Sequence, residues 1–187
     1  MIIFSFGHFR VGLRFGFLAV LFFMTQISRS DWGLWCVFCC ILHELGHLAA
    51  YALAGSPPRE LWLEAGGMRI VPREGFLPPA REALVLLGGC FANFVSAAAL
   101  FFLRCPSAAG FHLLLGIWNL LPLAPLDGGQ LLRLALDLLC HAAAPRIAAA
   151  VHWGCAALLA AAGLLLFRET GNFTLLLTLF CLFFSGK

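Results

Sequence analysis

Residues 32–54 form a long apolar run that carries no charged residue outside one H-E-L-G-H motif, with His43, Glu44 and His47. A run of this length can cross the hydrocarbon core of a bilayer, which takes about 20 residues. Two imidazoles and a carboxylate are costly to bury in hydrocarbon, so such groups within a membrane helix are functional by default. The chain must therefore adopt a fold that gives these three side chains a partner or a ligand.

The spacing of the three side chains fits a zinc site. On a helix, His43 and His47 are four residues apart, so they share one face and lie one turn apart. Two imidazoles in this arrangement can hold one zinc ion, and Glu44 can act as general base toward a zinc-bound water. The alternative is a pair of structural histidines bonded to neighbours, which the cost of burying His, Glu and His in hydrocarbon disfavours.

A catalytic zinc requires a third protein ligand. Asp127 is the one Asp of three that closes a long apolar segment, within the stretch N-L-L-P-L-A-P-L-D-G-G that starts at Asn119. It can therefore meet the metal from a second helix. Cys40 is a competing donor, because it lies three residues before His43 on the same helix. A cysteine in an apolar run more often packs as a small hydrophobic side chain.

Together, these motifs resemble those of the site-2 protease family of intramembrane zinc metalloproteases, over about residues 32–135. The sequence is most similar to the sporulation branch, the stage IV enzyme that processes a membrane-tethered sigma-factor precursor. In this family the third ligand is the Asp of an N-x-x-P…D-G motif, which implies Asp127. The resemblance also implies that Asn119 bonds the substrate or the developing oxyanion. Gly89 and Asn93 form a G-x-x-x-N motif similar to one in the family's next helix.

The resemblance implies a zinc metalloendopeptidase that cleaves a membrane-associated or single-span protein within or near the membrane. His43, His47 and Asp127 would hold Zn²⁺, and Glu44 and Asn119 would be the catalytic side chains. The implied partners are the lipid bilayer, a membrane-protein substrate such as a sigma-factor precursor, and inhibitory membrane proteins.

Two other classes of protein stay open. One is a zinc transporter, in which the same residues bind metal in transit. Transporters often have broken helices in both halves, and the sequence has no second copy of either motif in its other half. The other is a non-catalytic membrane zinc-binding protein, which would have no need of a base at Glu44.

The composition indicates one integral membrane domain over residues 1–187. Hydrophobic residues make up 62% of the chain and charged residues 11%, whereas soluble domains have about 25% charged residues. The net charge of +3 is small and dispersed, which argues against nucleic acid as a partner.

The predicted fold class is an all-α integral membrane protein with about six transmembrane helices. The predicted spans are residues 11–28, 32–54, 83–103, 105–126, 147–167 and 173–185. The last of these is short for a span. Pro122 and Pro125 predict a break near the end of the fourth, metal-binding helix. Residues 130–141 would extend this helix or lie along the interface. Residues 60–71 alternate polar and apolar around Gly66 and Gly67, which predicts a β-hairpin after the second span.

The distribution of Lys and Arg predicts the orientation. With six spans and the N-terminus inside, nine of the 12 basic residues fall on the inner side, and Arg29, Arg104 and Arg168 fall outside. The positive-inside rule then places both termini, the hairpin and Asp127 on the cytosolic side. Combined with the resemblance, this predicts a multi-pass protein of a bacterial cell membrane.

Overall fold

The computed structural model of the protein describes residues 2–6, 9–15, 17–19, 22, 32–56, 58–64, 67–72 and 77–185. The chain forms two compact units, residues 1–118 and 119–187. The elements of the first unit are β1 (Ile2–Phe6), β2 (Phe9–Leu13), α1 (Trp32–Leu53), β3 (Pro58–Glu64), β4 (Gly67–Pro72), α2 (Pro79–Phe102) and α3 (Pro106–Asn119), which ends at the boundary. The elements of the second are α4 (Asp127–Cys140), α5 (Ala144–Thr170) and α6 (Thr174–Ser185).

Three helices in the described part of the chain are long and apolar enough to cross a membrane. They are Gly33–Leu53, Pro79–Phe102 and Ala144–Thr170, which match the second, third and fifth predicted spans. Helix α3 has 14 residues and is about 21 Å long at 1.5 Å per residue, which is shorter than the roughly 30 Å hydrocarbon core. The fourth predicted span therefore ends earlier than expected, at Asn119 rather than Leu126.

The strands form one sheet in the order β1-β2-β3-β4, with β2 and β3 parallel and the other pairs antiparallel. The predicted hairpin is confirmed as β3–β4, with Leu61 opposite Ile70. The described chain is mostly helical, as predicted, but its sheet has four strands rather than the two of the predicted hairpin, because β1 and β2 extend it. The first predicted span cannot begin at Val11, which lies in β2. Most of the rest of that span lies outside the described residues.

Contacts around Trp62 explain why residues 9–13 form a strand of this sheet. A Cβ atom on Gly12 would collide with the Trp62 ring, so the glycine leaves the space in which the ring lies. The Arg14 guanidinium lies 5.7 Å from the centre of the same ring. Next to it, Arg10 and Glu60 form an ion pair at 3.0 Å. These contacts join residues far apart in sequence, which a hydropathy pattern does not show.

Helices α1 and α2 cross at two glycines. A Cβ atom on Gly88 would lie 2.7 Å from the carbonyl oxygen of Gly46 and 2.8 Å from the Cβ of Ala50, and a Cβ on Gly46 would meet the Gly88 carbonyl. The two backbones are therefore in direct contact, as small residues permit between membrane helices.

Helix α1 has two distinct faces. The buried face, which turns toward α2, carries Cys39, His43, His47 and Ala50. The opposite face exposes large apolar side chains, namely Leu34, Phe38, Ile41 and Leu45. This division is what a helix needs when it packs on one side and meets lipid on the other.

Helix α3 packs against α2 through a further glycine. A Cβ on Gly116 would lie 2.7 Å from the ring of Phe94. One turn earlier on α3, His112 is completely buried. The link between the two helices is tight, since Leu103 and Arg104 close α2 and Pro106 begins α3.

The glycine crossing yields a test of the fold. We expect Gly88→Ala to lower the stability of the protein in detergent by about 1–3 kcal/mol, because the added methyl group must push the two backbones apart. Thermal unfolding followed by circular dichroism measures this effect. Gly154→Ala on α5 is the matched control, because nothing lies within 4 Å of a Cβ there. Equal melting temperatures for the two variants would contradict the proposed crossing.

Candidate metal centre

His43 and His47 face each other on the buried side of α1. Their side chains are buried, with exposures of 5% and 7%, and their Nε2 atoms lie 3.2 Å apart. Two nitrogens bound to one tetrahedral zinc at about 2.05 Å would be about 3.3 Å apart. The pair is therefore already spaced to hold one metal ion between the two Nε2 atoms.

The space beside these nitrogens depends on Gly89 of α2. A Cβ atom at Gly89 would lie 2.5 Å from Nε2 of His47 and 2.8 Å from Nε2 of His43. The missing side chain thus leaves a space that is lined by both candidate ligand atoms. Any residue larger than glycine would fill the place that a metal ion needs, so the residues present fit a zinc ion.

The outer nitrogen of each imidazole is held by α2. Nδ1 of His47 lies 2.7 Å from the carbonyl oxygen of Val85, to which it donates a hydrogen bond. Nδ1 of His43 lies 3.0 Å from the side-chain amide of Asn93. Metal-ligating histidines usually have such an outer partner, which fixes the orientation and tautomer of the ring. The G-x-x-x-N motif of the sequence therefore lies directly against the histidine pair.

Cys90 is a candidate ligand that the sequence analysis missed. It is buried on α2, and its Sγ lies within 4.8 Å of a ring nitrogen of His43. No spacing within its own segment marks Cys90 as a ligand, because its proximity to His43 depends on how α2 packs against α1. Thiolate is a common zinc ligand.

Cys40, the competing donor named from the sequence, lies elsewhere. It is exposed on α1, whereas the neighbouring Cys39 is buried on the histidine face. Among the described residues, Cys40 is not part of the group of side chains whose donor atoms could hold one metal ion, and its role as a ligand stays a prediction.

Glu44 follows His43 on α1 and is half-buried. It therefore lies beside the ligand face rather than on it. This position suits a general base, which must reach a metal-bound water and still exchange protons with solvent.

Asn119 and Asp127 belong to the second unit, on either side of the predicted break. Asn119 is the last residue of α3, and Asp127 is the first residue of α4. Leu123, midway between them, is fully buried. Cβ atoms on Gly128 and Gly129 would collide with carbonyl groups of the loop over residues 120–126. The two glycines after Asp127 thus let the loop backbone pack against the start of α4.

His152 of α5 supports the same loop. Its Nδ1 accepts a hydrogen bond from the backbone N–H of Ala124 at 3.1 Å. Irregular backbone at membrane depth needs such partners, because lipid offers none. His152 therefore has a structural role, in line with the absence of a second histidine at ligand spacing in the sequence.

Within the first unit, then, the structure brings together His43, His47, Asn93 and Cys90 around the space at Gly89. This is an apolar helical fold built around a candidate metal centre. The roles of Glu44, Asn119 and Asp127 stay predictions.

The fold matches that of a known membrane protease. The structure is similar to that of the site-2 protease from Methanocaldococcus jannaschii, with a TM-score of 0.70 and 21% sequence identity over 98% of this chain and 92% of that chain. At this level of identity the similarity shows a shared fold. No protein-family model matches the chain, and no curated protein matches its sequence.

Gly89 provides a direct test of the centre. We expect Gly89→Ala to abolish zinc binding while the protein still folds, because the added methyl group displaces imidazole side chains rather than backbone. Metal analysis of the purified protein, with circular dichroism as the check on folding, measures both properties. Gly110→Ala is the control, since nothing lies within 4 Å of a Cβ at that position. Full zinc content in Gly89→Ala would show that the metal does not occupy this space.

Proposed function

We propose that the protein is an intramembrane zinc metalloendopeptidase of the site-2 protease type. The observation that carries this proposal is the pair of Nε2 atoms of His43 and His47, 3.2 Å apart beside the space left by Gly89. The shared fold with a site-2 protease supports the same function. Glu44 distinguishes a hydrolase from a metal carrier, because only hydrolysis needs a base beside the metal.

In this proposal, zinc supplies a Lewis acid that polarises the scissile carbonyl and activates water. Glu44 takes the proton of the attacking water and passes it to the leaving nitrogen. Val85 and Asn93 hold the imidazoles of His47 and His43 in place through their outer nitrogens. The Asn119 amide donates a hydrogen bond to the oxygen on which negative charge develops. This role for Asn119 is taken from the family resemblance.

We propose Asp127 as the third zinc ligand. Its support is the D-G-G stretch that ends the broken segment and places the carboxylate on the first residue of α4. Cys90 is the competing donor, because its thiol lies within 4.8 Å of a His43 nitrogen. The fourth position would be left for water, as in other catalytic zinc sites.

Metal content separates these two donors. We expect Asp127→Ala to weaken zinc binding strongly and Cys90→Ala to leave it close to that of the wild type. Removing both histidines in one variant should abolish binding. Titration with a competing chelator measures the affinity of each variant. A large loss of affinity in Cys90→Ala together with none in Asp127→Ala would assign the third position to the thiol instead.

Glu44→Gln tests the hydrolytic function. The substitution keeps the size of the side chain and removes the base, so we expect zinc to stay bound and cleavage to fall by a factor of about 100 or more. Membrane proteomics of cells that carry the wild type or Glu44→Gln should show an uncleaved precursor that accumulates only in the variant. If the two membrane proteomes are identical and the wild type moves zinc across vesicles, the transporter alternative is supported instead.

We also propose the substrate class and the orientation. The substrate is a membrane-associated or single-span protein, and similarity to the sporulation branch suggests a sigma-factor precursor with inhibitory membrane partners. The protein would be a multi-pass protein of a bacterial cell membrane with both termini in the cytosol. The Lys and Arg distribution supports this orientation. The sheet is in line with one part of it, because β2 pairs with β3, so that the two strands share a side of the membrane.

The edge strand β4 suggests how a substrate is held. In the described sheet, β4 pairs with β3 on one side, and a strand edge offers backbone groups to an extended peptide. An unwound substrate segment added there would be kept extended, which peptide hydrolysis requires. Strands β2 and β3 are internal to the sheet and have no such role.

A further inference from the structure

Four polar side chains from three helices form one continuous hydrogen-bonded row. His47 bonds to the Val85 carbonyl at 2.7 Å, and the Nε2 atoms of His47 and His43 lie 3.2 Å apart. Nδ1 of His43 lies 3.0 Å from Nδ2 of Asn93, and Oδ1 of Asn93 lies 3.0 Å from Nδ1 of His112. Asn93 and His112 are both completely buried. The family motifs account for the first three side chains and leave His112 unexplained.

We propose that His112 is a positioning residue for the ligand His43, acting through Asn93, and that metal binding exchanges donor and acceptor in the His43–Asn93 and Asn93–His112 hydrogen bonds. This inference rests on the proposed zinc site. It follows from the fixed end of the row, because the Val85 carbonyl can only accept a hydrogen bond and so fixes the proton on Nδ1 of His47.

Without metal, the direction of every bond is determined. Neutral His47 carries its proton on Nδ1 and accepts at Nε2, so His43 must donate from its own Nε2. Nδ1 of His43 then accepts from the Asn93 amide N–H, and Oδ1 of Asn93 accepts from Nδ1 of His112. The amide orientation in the structure is the one that this order requires.

Metal binding is incompatible with that order. A ligand nitrogen must be unprotonated, so His43 has to leave Nε2 bare and carry its proton on Nδ1. That proton would face the N–H₂ group of Asn93, and two donors would meet. The conflict disappears if the amide turns over, so that its oxygen accepts from His43 and its nitrogen donates to His112. Asn can do this at little cost because its two ends have nearly the same shape.

The reversal requires a partner for Asn93 that can both donate and accept. Imidazole does both, since its neutral form carries one proton that can lie on either nitrogen. When Asn93 donates to Nδ1, His112 must carry its proton on Nε2. An apolar residue at position 112 would leave one end of the amide unpaired in both states.

A purely structural role does not explain His112 well. Among the described residues, its Nε2 is the one buried side-chain nitrogen or oxygen without a hydrogen-bond partner. The ring of Phe38 lies near it, perpendicular and 6.2 Å away between ring centres. If the residue served only to pack α3 on α2, an apolar side chain would avoid this unpaired atom. The hydrogen bond from Nδ1 to Asn93 is what imidazole provides here.

Zinc affinity and tautomer are the two measurements that test the proposal, on the full-length protein purified in detergent. We expect His112→Phe to weaken zinc binding by a factor of roughly 10–100, as for other outer partners of zinc ligands. His112→Asn should restore most of the affinity, because its amide can donate or accept near the position of Nδ1. His141→Phe is the control for the same change at an exposed histidine.

Nitrogen NMR on histidine-labelled protein gives the second readout. The wild-type spectrum should show His112 protonated on Nδ1 without metal and on Nε2 with zinc, a change that a merely structural histidine would not show. An unchanged tautomer, or zinc binding by His112→Phe as tight as that of the wild type, would overturn the inference and leave the protease proposal standing. A wild type that binds no zinc would overturn both. The tautomer comparison decides the question if His112→Phe fails to fold.

Discussion

The contact between the backbones of Gly46 and Gly88 determines what the rest of the first unit can do. Membrane helices gain little from apolar burial against each other, so close approach of small residues has to hold them together. With the two backbones touching, Val85 reaches His47 at 2.7 Å and Asn93 reaches His43 at 3.0 Å. A wider separation would break both hydrogen bonds and free both imidazoles to rotate. The crossing and the candidate metal centre therefore depend on the same contact.

The same proximity creates the space in which a metal ion would fit. Gly88 and Gly89 are neighbours on α2, but they meet different parts of α1. The first faces the Gly46 carbonyl and the second faces the imidazole nitrogens. One glycine thus brings the helices together, and the next keeps the region between the ligands open. A protein that needed only tight helix packing would fill the second position, since buried voids cost dispersion energy.

Local patterns in the sequence predicted the features that depend on local geometry. Four-residue spacing on a helix is enough to bring His43 and His47 together, and alternation around a glycine pair is enough to predict the hairpin. The strands β1 and β2 were not predictable in this way, because their pairing depends on contacts such as that of Gly12 with Trp62. Cys90 and His112 were missed for a related reason. Cys90 lies near His43 of α1, and His112 bonds to Asn93 of α2. Neither residue has a partner at a characteristic spacing in its own segment.

The choice of Asn at position 93 follows from the low dielectric of its surroundings. A carboxylate would accept a hydrogen bond from His43 more strongly, and it is a common outer partner of zinc-binding histidines. At a fully buried position between membrane helices, however, its charge would be expensive. A neutral amide avoids that cost, but it holds His43 firmly only if its other end is also bonded. His112 on α3 supplies this second bond at 3.0 Å. A neutral partner can therefore hold the candidate ligand His43, because a third helix bonds the other end of the amide.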